Sequence, residues 1–148
     1  MVGPRGVRHN LSVFTPIERQ LEWLGRVQPA YVTTLAMNLF ELAEAAGASG
    51  RDIGVEAAIA SGSALLPHTR HLVAEKFGAR VIETYGSQEV GLIAIECPES
   101  GWLHVCADHV IVEVLDEFDE PVEPGETGRV VLTSLYNYVT PLLSLIHI

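Results

Sequence analysis

The chain has 148 residues, 48% of them hydrophobic and 19% charged, with a formal net charge of -10. That length and apolar share allow one compact domain with a real core and exclude a disordered polymer, while the acidic balance argues against nucleic-acid binding, which needs a basic face. No apolar run approaches the ~20 residues of a spanning helix. Residues Met1 to Gly6 lack the apolar stretch of a signal peptide, and Cys97 and Cys106 are too few for a disulfide framework, so no membrane partner and a cytoplasmic location are expected.

Elements follow in chain order. Thr15 can cap a helix that starts at Pro16, with Glu18 completing a capping box, Ile17, Leu21 and Leu24 on one face and Gly25 as its end. Tyr31 to Leu35 is a strand rich in β-branched residues. Asn38 with Glu41 repeats the capping logic for a second helix, which buries Leu39, Leu42, Ala43 and Ala46 and stops at Gly47. Val55 to Ile59 is a second strand. Pro67 opens a third helix with Leu72, Val73 and Phe77 facing inward and Gly78 after it, and Ala79 to Thr84 is a third strand.

Strands alternating with helices over short connections imply right-handed crossovers and a parallel sheet with flanking helices. Ligands bind beyond the carboxyl ends of such strands. Thr33-Thr34, Ser61-Gly62-Ser63 and Tyr85-Gly86-Ser87 follow those ends and are expected on one rim. From Gly91 the pattern changes to strands at 92–95, 102–105, 110–115 and 129–133, broken by Pro98, Gly101, the acidic run Asp116 to Glu120 and Pro124-Gly125. The expected fold is therefore α/β over residues 1–90, a barrel-like antiparallel subdomain over 91–143, and a separate tail at 144–148.

The run Tyr85-Gly86-Ser87-Gln88-Glu89 holds the parts of a nucleotide site. Its glycine admits close backbone approach, its aromatic offers a flat face, and its hydroxyl and carboxylate are hard oxygen ligands suited to magnesium. A solvated turn acid is the bland reading of Glu89, a half-buried strand-end aromatic that of Tyr85, and a helix approach that of Ser61 to Ser63.

With its flanks this run resembles the adenylate-forming superfamily and, within it, the phenylacetate–CoA ligase family. Tyr85 to Glu89 matches that family's Y-G-x-x-E, Ser61-Gly62-Ser63-Ala64-Leu65 sits where it has a small loop beside the adenine, and Gly125 to Thr133 matches its G-E-x-G-x-x-V-x-T segment. The resemblance implies that ATP is held by Ser61, Gly62, Ser63, Glu83, Thr84, Tyr85, Gly86 and Ser87, and that Glu89 is the catalytic acid reaching the ATP-bound Mg²⁺. It further implies an ATP-dependent ligase that adenylates a small carboxylic acid, phenylacetate or another aromatic acid, and passes the acyl group to coenzyme A, in a parent open to homodimerisation. An acceptor other than coenzyme A, such as a carrier protein, and a non-catalytic flavodoxin-like nucleotide-binding module remain as alternatives.

The family continues after Thr140-Pro141-Leu142 with Ile-Arg-Tyr and a Gly-Asp pair, whereas this chain reads Leu143 to Ile148. The resemblance thus implies an internal fragment. It lacks the upstream phosphate loop, the ribose-binding aspartate and the downstream domain with its lysine, so the chain alone is expected to be inert.

Other residues carry weaker signals. Cys97, His104 and Cys106, with Asp108 or His109 as a fourth ligand, form a candidate zinc set of thiolates and imidazole, against which stands the ordinary role of cysteine as a core residue. His68 and His71 read as a solvated helix face, and Asp116 to Glu120 with Glu123 and Glu126 as a hairpin tip and a turn. By resemblance, Tyr136 and Tyr138 stand near the active-site rim, with packing as an equal reading.

Overall fold

The computed structural model describes residues 6–137 and, for the backbone alone, Leu143–Ile146. The chain divides into two compact units, Met1–Ile82 and Glu83–Ile148.

The first unit contains α1 (Ile17–Val27), β1 (Tyr31–Leu35), α2 (Ala36–Ser49), β2 (Ala57–Ser61), α3 (Pro67–Phe77) and the start of β3 (Arg80–Ser87). β1 and β2 are parallel, in register from Tyr31 opposite Ala57 to Leu35 opposite Ser61. Neighbour order here is β1-β2-β3. The core joins one face of each helix to the strands: Leu21 and Leu24 of α1, Leu39, Leu42, Ala43 and Ala46 of α2, Val73 and Phe77 of α3, and Ala58 and Ala60 of β2. Alanines dominate where α2 meets β2, which lets helix and sheet approach closely.

The helix termini differ from the sequence expectation in instructive ways. Thr15 does not cap α1. Pro16 is the N-cap, without a side-chain cap bond, and the Thr15 carbonyl instead accepts from Gln20 Nε2 at 2.7 Å. α1 runs through the exposed Gly25 to Val27 and closes on Gln28 in the left-handed region (φ 47°), whose N–H donates to Leu24 O before Pro29 bars continuation. α2 begins at Ala36, two residues before Asn38, so Asn38 is buried in its first turn rather than capping it. Gly47 lies inside α2, and Gly50 (φ 63°) supplies the C-cap. A β-carbon at Gly47 would stand 3.0 Å from Lys76 Cε on α3, so this glycine serves helix approach rather than helix ending. β2 starts two residues later than expected, at Ala57. α3 is as expected, with Pro67 in its first turn and Gly78 (φ 63°) after Phe77.

In the second unit β3 continues to Ser87 and is followed by β4 (Gly91–Glu96), β5 (Leu103–Val105), β6 (Val110–Leu115), β7 (Arg129–Ser134) and β8 (Leu143–Ile146). The order β3-β4-β5 forms one antiparallel arrangement and β6-β7-β8 another. Their shared core is Ile93, Ala94, Val110, Val130 and Leu132, with Tyr85, Val90 and Val112 at its margin. The acidic run is a hairpin tip: Asp116 Oδ1 accepts the N–H groups of Phe118 (2.8 Å) and Glu120 (2.9 Å), and Arg129 pairs with Asp119. Among the described residues no helix is long and apolar enough to cross a membrane.

Candidate nucleotide site

Within the first unit, the carboxyl ends of β1 and β2 meet because the two strands are parallel and in register. Ser61 Oγ donates to Thr34 O at 3.4 Å. The chain then turns at Gly62, whose φ of 79° is strained for any residue with a β-carbon; such an atom would also lie 2.6 Å from Leu35 Cδ2. Gly62 and Ser63 are exposed, while Leu65 is buried and fixes the far end of the loop before α3. Ser61 to Leu65 is therefore a short exposed loop anchored at both ends, with a backbone that can approach a flat ring.

Beside it lie two residues that sequence reasoning missed as partners. Gln20 and Asn38 are buried and exchange amide hydrogen bonds of 3.2 and 3.0 Å, and Asn38 Nδ2 also donates to Thr34 Oγ1 at 3.1 Å. Their signal was present: two primary amides at positions that otherwise belong to apolar helix faces. The pair borders a cavity of about 810 Å³ whose walls include Val7, Trp23, Tyr31, Val32 and Thr34.

The second unit carries Tyr85 to Glu89. The third strand was expected to end at Thr84, yet β3 runs through Tyr85, Gly86 and Ser87 and pairs antiparallel with β4. The motif is thus the last turn of a hairpin arm, with the turn itself at residues 88–90. A register shift falls between Tyr85 and Gly86. A β-carbon on Gly86 would meet Gly91 O at 2.8 Å, so backbone packing alone demands glycine there. Tyr85 is half-buried, its ring against the unit's core and its hydroxyl buried without a hydrogen-bond partner among the described residues. Glu83 N donates to Glu96 Oε2 at 2.7 Å, tying β3 to β4, and Thr84 lies opposite Ile95.

Ser87 organises the turn. Its Oγ accepts the Val90 N–H at 3.3 Å, and its hydroxyl donates to the carboxylate of Glu89. That hydrogen bond, with a smaller contribution from the Glu89 backbone N–H, holds the Glu89 carboxyl below its ordinary value. Glu89 is exposed, ionised at neutral pH and orientated by its neighbour. One hard carboxylate, with phosphate oxygens completing the shell, suits magnesium better than a dedicated protein cage.

Among the described residues no group of three or more His, Cys, Asp or Glu could hold a metal ion. The zinc set of Cys97, His104, Cys106, Asp108 and His109 does not assemble. Cys97 sits in a tight turn, accepting from Gly101 N and donating to Trp102 O. His104 is exposed on β5, and Cys106 has left the strand, its N–H bonded to Ile93 O. In the G-E-x-G segment, Gly125 (φ 98°) makes a turn, and Gly128 would place a β-carbon 2.7 Å from Leu115 O. His68 stacks edge-on against Phe40, and the exposed Tyr136 lies against His109 with ring centres 5.4 Å apart. Tyr138 lies outside the described residues.

No family model and no curated protein matches the chain. Solved structures do. 2-Hydroxyisobutyryl-CoA ligase, in an open conformation with 2-HIB-AMP and CoA, is similar at 23% identity with a TM-score of 0.70, covering 81% of this chain and 30% of that one. The amide bond synthetase McbA from Marinactinospora thermotolerans matches at 23% identity and a TM-score of 0.67, over 81% of this chain and 26% of its own. A long-chain-fatty-acid-CoA ligase, FadD1 from Archaeoglobus fulgidus, matches at 15% identity and a TM-score of 0.64, over 80% and 27%. The chain therefore spans less than a third of the length of these structures. At such identities the likeness is one of fold: a mixed α/β sheet with flanking helices plus a separate antiparallel sheet, as in the matched part of those structures.

Proposed function

We propose that the chain is part of an ATP-dependent acid–CoA ligase. The observation that carries this reading is the Tyr85–Glu89 hairpin end, with Glu89 ionised and held by Ser87, on a fold like that of adenylate-forming ligases. In the proposed reaction a carboxylate oxygen of the acid attacks the α-phosphorus of ATP, and pyrophosphate leaves with the electrons of the broken P–O bond. The thiolate of coenzyme A then attacks the acyl carbon and AMP leaves. By the same resemblance, Ser61, Gly62 and Ser63 of the first unit and Glu83, Thr84, Tyr85, Gly86 and Ser87 of the second would each contribute to ATP binding. Glu89 would hold Mg²⁺, which when bound neutralises phosphate charge opposing the attack. The Tyr85–Glu89 and Gly125–Thr133 segments, by their likeness to the phenylacetate–CoA ligase family, favour phenylacetate or a similar aromatic acid as substrate.

An amine or carrier thiol as final acceptor is the second reading, its amine form favoured by the similar likeness to an amide bond synthetase. Incubating the enclosing, longer enzyme with ATP, Mg²⁺, coenzyme A and a panel of aromatic and aliphatic acids tests the proposal by mass spectrometry. An aryl-acyl-CoA is the expected product. Formation of acyl-adenylate without any acyl-CoA would shift the assignment to the second reading, and formation of neither would end both.

A further inference from the structure

Among the described residues, the buried polar side chains of the first unit are Thr69 on α3 and, where α1 meets α2, Gln20 and Asn38, each only 6% exposed. Burying two primary amides is unfavourable unless their donors and acceptors are satisfied, and here they are. Asn38 Nδ2 donates to Gln20 Oε1 (3.0 Å) and to Thr34 Oγ1 (3.1 Å), and Asn38 Oδ1 accepts from Gln20 Nε2 (3.2 Å). Gln20 Nε2 also donates to two main-chain carbonyls, Val13 O at 3.1 Å and Thr15 O at 2.7 Å. Those carbonyls can only accept, so they fix which end of the Gln20 amide faces them, and Gln20 in turn fixes Asn38.

We infer that the Gln20–Asn38 amide pair is a positioning device for the Ser61–Ser63 loop, acting through Thr34. This role rests on the reading of that loop as the adenine-side loop. Asn38 holds Thr34 by its hydroxyl, and the Thr34 carbonyl receives the Ser61 hydroxyl at 3.4 Å. Leu35, next along β1 and opposite Ser61, is the side chain that closes on Gly62. A strand end held at Thr34 thus sets two contacts on the loop, one polar and one apolar. A pair serving only to join α1 to α2 would need no third bond to the strand end. Apolar side chains of similar shape would join the helices as well, since replacing both partners of a buried polar pair is often nearly neutral for stability.

Hydrogen–deuterium exchange on the 148-residue chain reads the loop directly. Thr34→Val keeps shape and strand propensity but deletes the hydroxyl, and Thr34→Ser keeps the hydroxyl. Thr34→Val should speed exchange across residues 61–65 on the order of tenfold while leaving α3 unchanged, and Thr34→Ser should restore the wild-type pattern. Gln20→Leu/Asn38→Leu should reproduce the Thr34→Val effect on the loop with little change in Tm; should it fail to fold, the Thr34 pair decides. Equal loop exchange in Thr34→Val, Thr34→Ser and wild type would overturn the positioning role. Millimolar ATP tests the underlying assignment separately. The 148-residue chain alone is expected to lack most of the phosphate contacts. The ATP comparison is therefore made in the longer enzyme, where protection of 61–65 supports the adenine-side loop and its absence removes that assignment whatever the variants show.

Discussion

The hydrogen bond from Ser87 is the larger of the two that hold the Glu89 carboxyl below its ordinary value. The Ser87 hydroxyl favours the ionised form of Glu89, so the folded carboxyl lies below its unfolded value. The sign follows: whatever stability this contact adds is present above the unfolded pKa and is lost as pH falls through the lower, folded one. Glu89 is fully exposed, so the informative readout is titration rather than stability. Ser87→Ala should move the Glu89 midpoint up toward that of an ordinary glutamate in a carboxyl-carbon NMR titration of this chain; an unmoved midpoint would contradict the contact. In the longer enzyme, Glu89→Gln should lower the adenylation rate by about 10²–10³ at saturating Mg²⁺ and acid, with Tm nearly unchanged. A rate within a few-fold of wild type would take Glu89 out of the mechanism. Gly86 is constrained differently. A methyl group there meets the Gly91 carbonyl, part of the backbone rather than a yielding side chain, so Gly86→Ala should cost about 1–3 kcal/mol in urea unfolding.

At the scale of elements, α2 shows how tertiary contacts decide what a residue is for. Gly47 costs the helix about 1 kcal/mol of propensity relative to alanine. Gly47→Ala recovers this if Lys76 moves its flexible end by a few tenths of an ångström, which its partly exposed position permits. The expected outcome is a gain of less than about 1 kcal/mol in urea unfolding, and a loss would mean that α3 cannot yield. The same helix marks the limit of legibility. Its buried face, Leu39, Leu42, Ala43 and Ala46, is plain in the 3.6-residue period. Its ends are not. Asn38 reads as a cap because asparagine satisfies free N–H groups well, but Gln20, 18 residues earlier, claims its amide. Gly25 and Gly47 read as stops, yet nothing local distinguishes them from Gly50 and Gly78, which do adopt positive φ. Tyr85 to Ser87 read as a turn because glycine and serine favour turns, whereas pairing with Leu92 and Gly91 carries the strand through them. The turn at Gly62 and Ser63 was legible because its residue types, its place after a strand and Pro67 all agree, although β2 runs two residues further than expected and takes in Ser61.

Across the whole molecule, the chain comprises two compact units with separate cores. Strands β1 and β5 end the strand order, and both leave apolar side chains in water: Tyr31 and Leu35 on one, Leu103 and Val105 on the other, with Trp102 beside them. Open edges with exposed apolar residues favour association. The net charge of -10 opposes that tendency through repulsion that salt screens. Size exclusion with light scattering at micromolar concentration should therefore show species larger than a monomer, increasing with salt; a monodisperse monomer at high salt would contradict this. The proposed adenylation would belong to the longer enzyme proposed to enclose these units.

Exchange of labelled pyrophosphate into ATP by that enzyme reads the formation of an acyl-adenylate without depending on the final acceptor. The expected result is exchange that requires an added carboxylic acid, is strongest with aromatic acids and falls steeply in Glu89→Gln. Exchange that proceeds without any acid, or none with a broad panel of aromatic and aliphatic acids, would contradict the assignment of this chain to an adenylating ligase.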